Sequence, residues 1–130
     1  MLFDLLRLDP AYFEASYNLG LAAYSAGDLP QSLTAYEQAL SINPTSVDTR
    51  YNFALALQKA NYPRDAAEEL EKVVTAHPDE TRAHLALANL YAQTLYQPAQ
   101  ARRHYAKTLQ LDSANPQATA IRYWLAANPQ

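Results

Sequence analysis

Three histidines, His77, His84 and His104, are the residues of this chain best suited to acid–base or metal chemistry. Imidazole titrates near neutrality, and its bare nitrogen is a common metal ligand. A zinc site on one helix needs a second ligand four residues away on the same face. No histidine here has such a companion, so the three read as dispersed and no metal is expected. Ser16, Ser32 and Ser113 have no evident histidine to activate them as nucleophiles. Gly20 and Gly27 are the only glycines, too few for a loop that cradles phosphate. The absence of cysteine excludes disulfides and thiolate ligation. Asp65, Glu68, Glu69 and Glu71 read as a solvated helix face, and so do Arg102, Arg103 and Lys107. Asp79 and Glu80 read as the start of a helix, where carboxylates favour the positive end of the dipole. The expectation is a non-catalytic protein with no cofactor.

The elements that would carry these side chains are marked off by proline. Eight prolines stand at positions 10, 30, 44, 63, 78, 98, 116 and 129. Proline is tolerated in the first turn of a helix and damaging inside it, so these marks predict helices of about 13 to 16 residues between them. Alternation of apolar and polar residues is absent, and alanine, leucine and glutamine dominate, so no strand competes. Pro10, Pro44 and Pro78 lie 34 residues apart, and the text between them repeats: Tyr17-Asn18-Leu19-Gly20 becomes Tyr51-Asn52-Phe53-Ala54. Gly27 falls in the turn between the first two full helices, where a positive φ is expected, and Asn61 falls at the matching place one period later. The third period has one extra residue in its turn, between Thr94 and Gln97.

Helical spacing predicts which faces pack. Leu19, Ala22, Ala23 and Ala26 form one stripe, facing Leu33, Tyr36 and Leu40. Phe53, Ala54 and Leu57 face Ala66, Leu70 and Val73; Leu87, Ala88 and Tyr91 face Ala101, Tyr105 and Leu109. Small residues stand where helices must approach closely: Gly20 with Ser32, Ala54 with Ala66, Ala88 with Ala101. Asn115 as N-cap and Pro116 in the first turn predict a last helix over 115–128, with Ala118, Ile121 and Leu125 on its packed face. The first helix of each pair carries a second apolar stripe beyond the one packing requires: Tyr17, Leu21 and Tyr24, then Tyr51 and Leu55, then Leu85, with Trp124 comparable on the last helix. A helix apolar on two faces has two neighbours or exposes a sticky surface.

The totals set outer limits. With 130 residues, 49% of them hydrophobic, the chain has enough apolar side chains for a core. A net charge of −3 disfavours nucleic acid as partner. No apolar run approaches the roughly 20 residues that span a bilayer, so no membrane insertion is expected. Charge is uneven: six acids and one base over residues 1–48, against five bases and one acid over 81–130. The opening Met1-Leu2-Phe3-Asp4-Leu5-Leu6 is too short for a secretory signal and is interrupted by Asp4.

This pattern resembles the tetratricopeptide repeat, W-x2-L-G-x2-Y, then A-x3-F, then P over 34 residues. Leu19-Gly20, Tyr36, Ala39 and Pro44 match in the first unit; Phe53-Ala54, Ala66, Leu70 and Pro78 in the second; Leu87-Ala88, Tyr91, Ala101 and Tyr105 in the third, where Ser113 replaces proline. Ser16, Arg50 and His84 stand at the pattern's tryptophan place. The resemblance implies an all-α right-handed superhelix of stacked antiparallel helix pairs, a single domain over 1–130. Its parts are the tail of an upstream repeat at 1–9, repeats at 11–44, 45–78 and 79–113, and a capping helix at 115–128. Residues 1–9 thus suggest a chain cut from a longer array.

The resemblance also implies a scaffold that binds a peptide or protein segment in a concave groove lined by the first helix of each pair. The expected groove residues are Tyr17, Asn18, Leu21, Tyr24, Tyr51, Asn52, Leu55, Leu85, Asn89 and Trp124, with tyrosines as hot spots and Asn18, Asn52 and Asn89 bonding the segment's backbone. Co-chaperones of this family clamp a C-terminal carboxylate with cations. Here Tyr17, Leu21, Tyr51 and Leu55 stand in the corresponding places, so acidic chaperone tails are not expected to bind. The alternative is self-association into a homo-oligomer through exposed apolar ends, especially Leu2, Leu5 and Leu6.

Overall fold

A computed structural model describes residues 10–130. The expectations for 1–9, the upstream tail and the apolar end at Leu2, Leu5 and Leu6, lie outside the described residues. Among those described there are seven α-helices and no strand: α1 (Pro10–Ala26), α2 (Leu29–Ile42), α3 (Val47–Lys59), α4 (Pro63–Ala76), α5 (Thr81–Gln93), α6 (Pro98–Leu111) and α7 (Ala118–Ala127). Pro10, Pro63 and Pro98 open their helices and Pro30 sits in the first turn of α2, positions where a missing N–H costs nothing. Asp28 caps α2 by accepting the Gln31 N–H at 3.2 Å, and Ser46 caps α3 by accepting the Thr49 N–H at 3.3 Å.

The turns within the helix pairs follow one design. Gly27 (φ 82°) and Asn61 (φ 71°) take the left-handed conformation. Each lets the next N–H reach five residues back, Asp28 to Ala23 and Tyr62 to Leu57, both at 2.8 Å. The third turn absorbs its extra residue differently. Gln97 N–H reaches six residues back to Tyr91 at 2.8 Å, and Tyr96 takes a φ of 55°.

The helices cluster into two compact units, one ending at Glu69 and the other running from Leu70 to Gln130. In the first, α1 packs on α2 and α2 on α3. Gly20 lets α1 and α2 touch: a Cβ there would lie 2.5 Å from Tyr36 Cε1. Ser32, fully buried, donates its hydroxyl to the Gly20 carbonyl at 2.8 Å. The packed face of α1 is Ser16, Gly20 and Ala23, not the stripe expected around Leu19. Leu19 is 42% exposed, and Ala22 and Ala26 are exposed too. The small residues let α2 approach most closely, and Leu19, neighbouring Gly20 but about 100° around the helix, turns outward.

In the second unit α5 packs on α6 and α6 on α7. Leu87, Ala88, Leu90 and Ala101 are fully buried, as are Leu70 and Ile121. Each large aliphatic side chain among them contributes about 1.5–3 kcal/mol by leaving water. The last helix begins at Ala118 rather than in the 115–116 turn. Asn115 spends its side chain on a turn, accepting the Gln117 N–H at 2.9 Å, and α7 starts only after it. Ala118 and Ile121 are buried and Leu125 is half-buried, so the expected packed face is present on the shorter helix.

Candidate partner-binding surface

In the first unit Tyr17 meets Phe13, Tyr36 and Asn52. Phe13 stands one turn earlier on α1, and the two rings stack at 6.2 Å with 13° between planes. The Tyr36 ring of α2 lies 6.2 Å from that of Tyr17, tilted by 55°. Asn52 of α3 donates its side-chain amide to the Tyr17 hydroxyl at 3.0 Å. Tyr17 is therefore held from three helices while remaining half-buried. Leu21, one turn further along α1, is 37% exposed. Tyr24 is half-buried, with the Lys59 ammonium 5.8 Å from its ring centre. Tyr51 and Leu55 are half-buried one turn apart on α3, and Asn18 is exposed. The Tyr36 hydroxyl is pushed up to about 12, first by burial and then by the neighbouring Tyr17.

In the second unit Asn89, Tyr105 and Trp124 come together. Tyr105 donates its hydroxyl to Asn89 Oδ1 at 2.6 Å, and the Trp124 ring tilts against Tyr105 at 5.0 Å. Leu85 is half-buried one turn before Asn89. Burial raises the Tyr105 hydroxyl above its ordinary value. Asn52 and Asn89, expected to bond a partner's backbone, thus each spend one amide atom on a tyrosine of their own chain. The other half of each amide makes no hydrogen bond among the described residues.

Two of the three histidines are not dispersed. His84 of α5 and His104 of α6 are both buried, with their Nδ1 atoms 3.0 Å apart. His84 Nε2 meets the Pro78 carbonyl at 2.8 Å, and His104 Nε2 lies 3.5 Å from Glu71 Oε1. The same carboxylate oxygen accepts the Tyr91 hydroxyl at 2.9 Å. Burial, and then Glu71 itself, raise the Tyr91 hydroxyl above its ordinary value. For His104 burial is the largest influence and lowers it; Glu71 acts in the opposite direction. The signal for this pair was in the sequence: one turn outward from Ala88 and Ala101, on antiparallel helices, lie His84 and His104. Among the described residues no group of three or more histidine, cysteine or acidic side chains is placed to hold a metal ion.

Other surface readings change as well. Glu69 is buried and accepts Arg50 Nη1 at 2.7 Å, while Arg50 Nη2 donates to the Pro44 carbonyl at 2.8 Å. Glu69 is thus bonded within the fold rather than solvated, whereas Glu71, bonded to Tyr91, keeps part of its side chain exposed. Arg102 donates to the Asn128 carbonyl at 3.1 Å and fastens the end of α7, so it too leaves the solvated face. No helix among the described residues is long and apolar enough to cross a membrane.

A family model described as tetratricopeptide repeat matches residues 23–90. The TPR repeat-containing thioredoxin TTL4 of Arabidopsis thaliana is 34% identical over 85 residues, covering 65% of this chain and 12% of that protein. The protein O-mannosyl-transferase Tmtc3 of Drosophila melanogaster is 22% identical over 116 residues, 89% of this chain and again 12% of the relative. The chain thus spans about an eighth of the curated relatives it matches. Among solved structures, the first TPR of Spaghetti (RPAP3) bound to the HSP90 peptide SRMEEVD superposes with a TM-score of 0.82 at 18% identity, over 93% of this chain and 96% of that one. The Arabidopsis OM64 TPR domain gives 0.81 at 19%, over 90% and 96%. The TPR2B domain of yeast Sti1 in complex with an Hsp70 peptide gives 0.76 at 20%, over 88% and 93%.

Proposed function

The chain belongs to the tetratricopeptide repeat family and has its all-α, helical-repeat solenoid fold, and from that premise we propose that it is a non-catalytic scaffold for a protein segment. In the first unit the proposed binding residues are Tyr17, Asn18, Leu21 and Tyr24 on α1 with Tyr51, Asn52 and Leu55 on α3; in the second unit they are Leu85, Asn89 and Trp124. The repeats proposed for this array are 11–44, 45–78 and 79–113, with a terminal helix after them.

One observation carries the reading. Tyr17 is immobilised by Phe13, Tyr36 and Asn52, yet it is not fully buried and stands beside an exposed Leu21. An aromatic side chain fixed before its partner arrives loses little entropy on binding, which is what a hot spot requires. Trp124, braced by Tyr105, has the same character. Structural relatives are named as complexes with HSP90 and Hsp70 peptides, which supports segment binding as the general role. The composition of this surface favours an apolar, amide-bonding segment over an acidic tail.

The test compares proteins captured by the intact chain with those captured by Tyr17→Ala, Tyr51→Ala and Trp124→Ala forms, followed by affinity measurement on any ligand found. Each substitution should weaken binding by about 2 kcal/mol, close to thirtyfold, with helix content unchanged. Unaltered affinity in all three correctly folded variants would remove this surface from the function.

A further inference from the structure

Beside the histidine pair lies an open depression of 370 Å³ lined by His84, Arg103, His104, Ala106, Lys107 and Gln110. Arg103 and Lys107 are one turn apart on α6, and neither makes a hydrogen bond or ion pair among the described residues. Two cations without an ion-pair partner among the described residues, lining one concavity, attract an anion.

The wall of the depression holds room for one proton. The Pro78 carbonyl can only accept, so His84 Nε2 carries hydrogen. Neutral His84 then has a bare Nδ1, and the hydrogen of the 3.0 Å contact belongs to His104 Nδ1. Neutral His104 is left with a bare Nε2, buried and without a hydrogen-bond partner, 3.5 Å from Glu71 Oε1. One proton on that nitrogen would turn the opposition into an ion pair and complete the chain from Glu71 to Pro78. A second, on His84 Nδ1, would set N–H against N–H, so the pair has room for one alone. The groups bearing on His104 are Glu71 from α4, His84 and Tyr91 from α5, and Arg103 and Lys107 along α6. Burial, His84 and Arg103 oppose the proton, and Glu71 favours it.

We propose that this depression is an oxyanion site that takes up one proton with its ligand: Arg103 and Lys107 hold the anion, and its field draws a solvent proton onto the His84–His104 pair. The ligand class is a sulfate-, phosphate- or carboxylate-bearing group. By linkage the anion and the proton strengthen each other equally.

Sulfate is the probe, because its charge is constant between pH 6.0 and 7.5. The chain is titrated with sulfate at fixed ionic strength while the ring proton resonances of His84 and His104 are followed by NMR. Saturable shifts are expected, with an affinity about fivefold tighter at pH 6.0, as Coulomb coupling at this range implies. The Arg103→Gln/Lys107→Gln variant should lose saturation while keeping the folded spectrum. His104→Gln should retain binding and lose its pH dependence. Shifts no larger than those from chloride, or equal affinity at both pH values, would overturn the proposal. Competition at pH 7.5 identifies the source: displacement at lower concentration by an acidic peptide assigns the site to a protein's carboxylates, and by inorganic phosphate to the free anion. Displacement by neither also overturns it.

Discussion

A methyl group added at Gly20 would lie 2.5 Å from Tyr36 Cε1, and Tyr36 is itself fully buried. The ring has nowhere to retreat without parting α1 from α2. Gly20→Ala should therefore cost about 2 kcal/mol, read as a lower urea midpoint, and Tyr36→Leu in the same chain should recover part of that loss. An unchanged midpoint would mean that the ring yields freely. Tyr96 poses the opposite case. It holds φ at 55° with 77% of its surface exposed, so it has backbone strain and little packing to offset it. Tyr96→Gly should stabilise the chain by about 1 kcal/mol in the same measurement. Gly27 and Asn61 could be read from the sequence because their residue types advertise a left-handed turn. Tyr96 could not, since its conformation follows from the extra residue and not from its own preference. For the same reason the commitment of Asn52 to Tyr17 was hidden: an asparagine at a repeated position looks available until the hydroxyl opposite it is located.

Among the elements, the α5–α6 pair is the one whose stability should depend on mild acid. Burial holds His104 below the ordinary histidine value, so the unfolded chain takes up the proton first as pH falls. Stability is then complete above about pH 7 and declines as pH drops through the unfolded value near 6.5. Unfolding followed at pH 7.5 and pH 5.5 should show a lower midpoint at the acid end, and His104→Leu should flatten the difference. A wild-type midpoint that rises on acidification would reverse the assigned direction. Helix boundaries set by proline were legible throughout this region except at α7. There Asn115 looked like a cap and proved to serve a turn two residues earlier than the helix. The packed face of α1 was misplaced by a related error. Leucine outranks glycine and serine in apolar character, but the approach of α2 is decided by size. The histidine pair is invisible to spacing along one helix, because its two members come from α5 and α6.

For the whole molecule, a 34-residue period, lengthened by one residue in its third copy, made the fold legible, and the match to a solved structure at 18% identity with a TM-score of 0.82 shows how little of the sequence that fold consumes. Ligand choice belongs to the residues left over, so a shared fold does not transfer a shared ligand. The structural relative named with the HSP90 peptide SRMEEVD makes the contrast testable. That peptide carries two glutamates, an aspartate and a terminal carboxylate, and such a ligand needs cations to replace its water. On the surface proposed here, Tyr17, Leu21, Tyr51 and Leu55 supply none, and Lys59 sits over the ring of Tyr24. Arg50 is already bonded to Glu69. The peptide should therefore bind to the candidate surface no more tightly than about 1 mM, near −4 kcal/mol, by calorimetry at physiological salt. Replacing Leu21 and Leu55 with lysine should strengthen it through charge alone, an effect that high salt would abolish. Micromolar affinity in the unaltered chain, surviving Arg103→Gln/Lys107→Gln, would show that the tyrosine surface accepts carboxylates without cations and would refute the apolar reading of the partner.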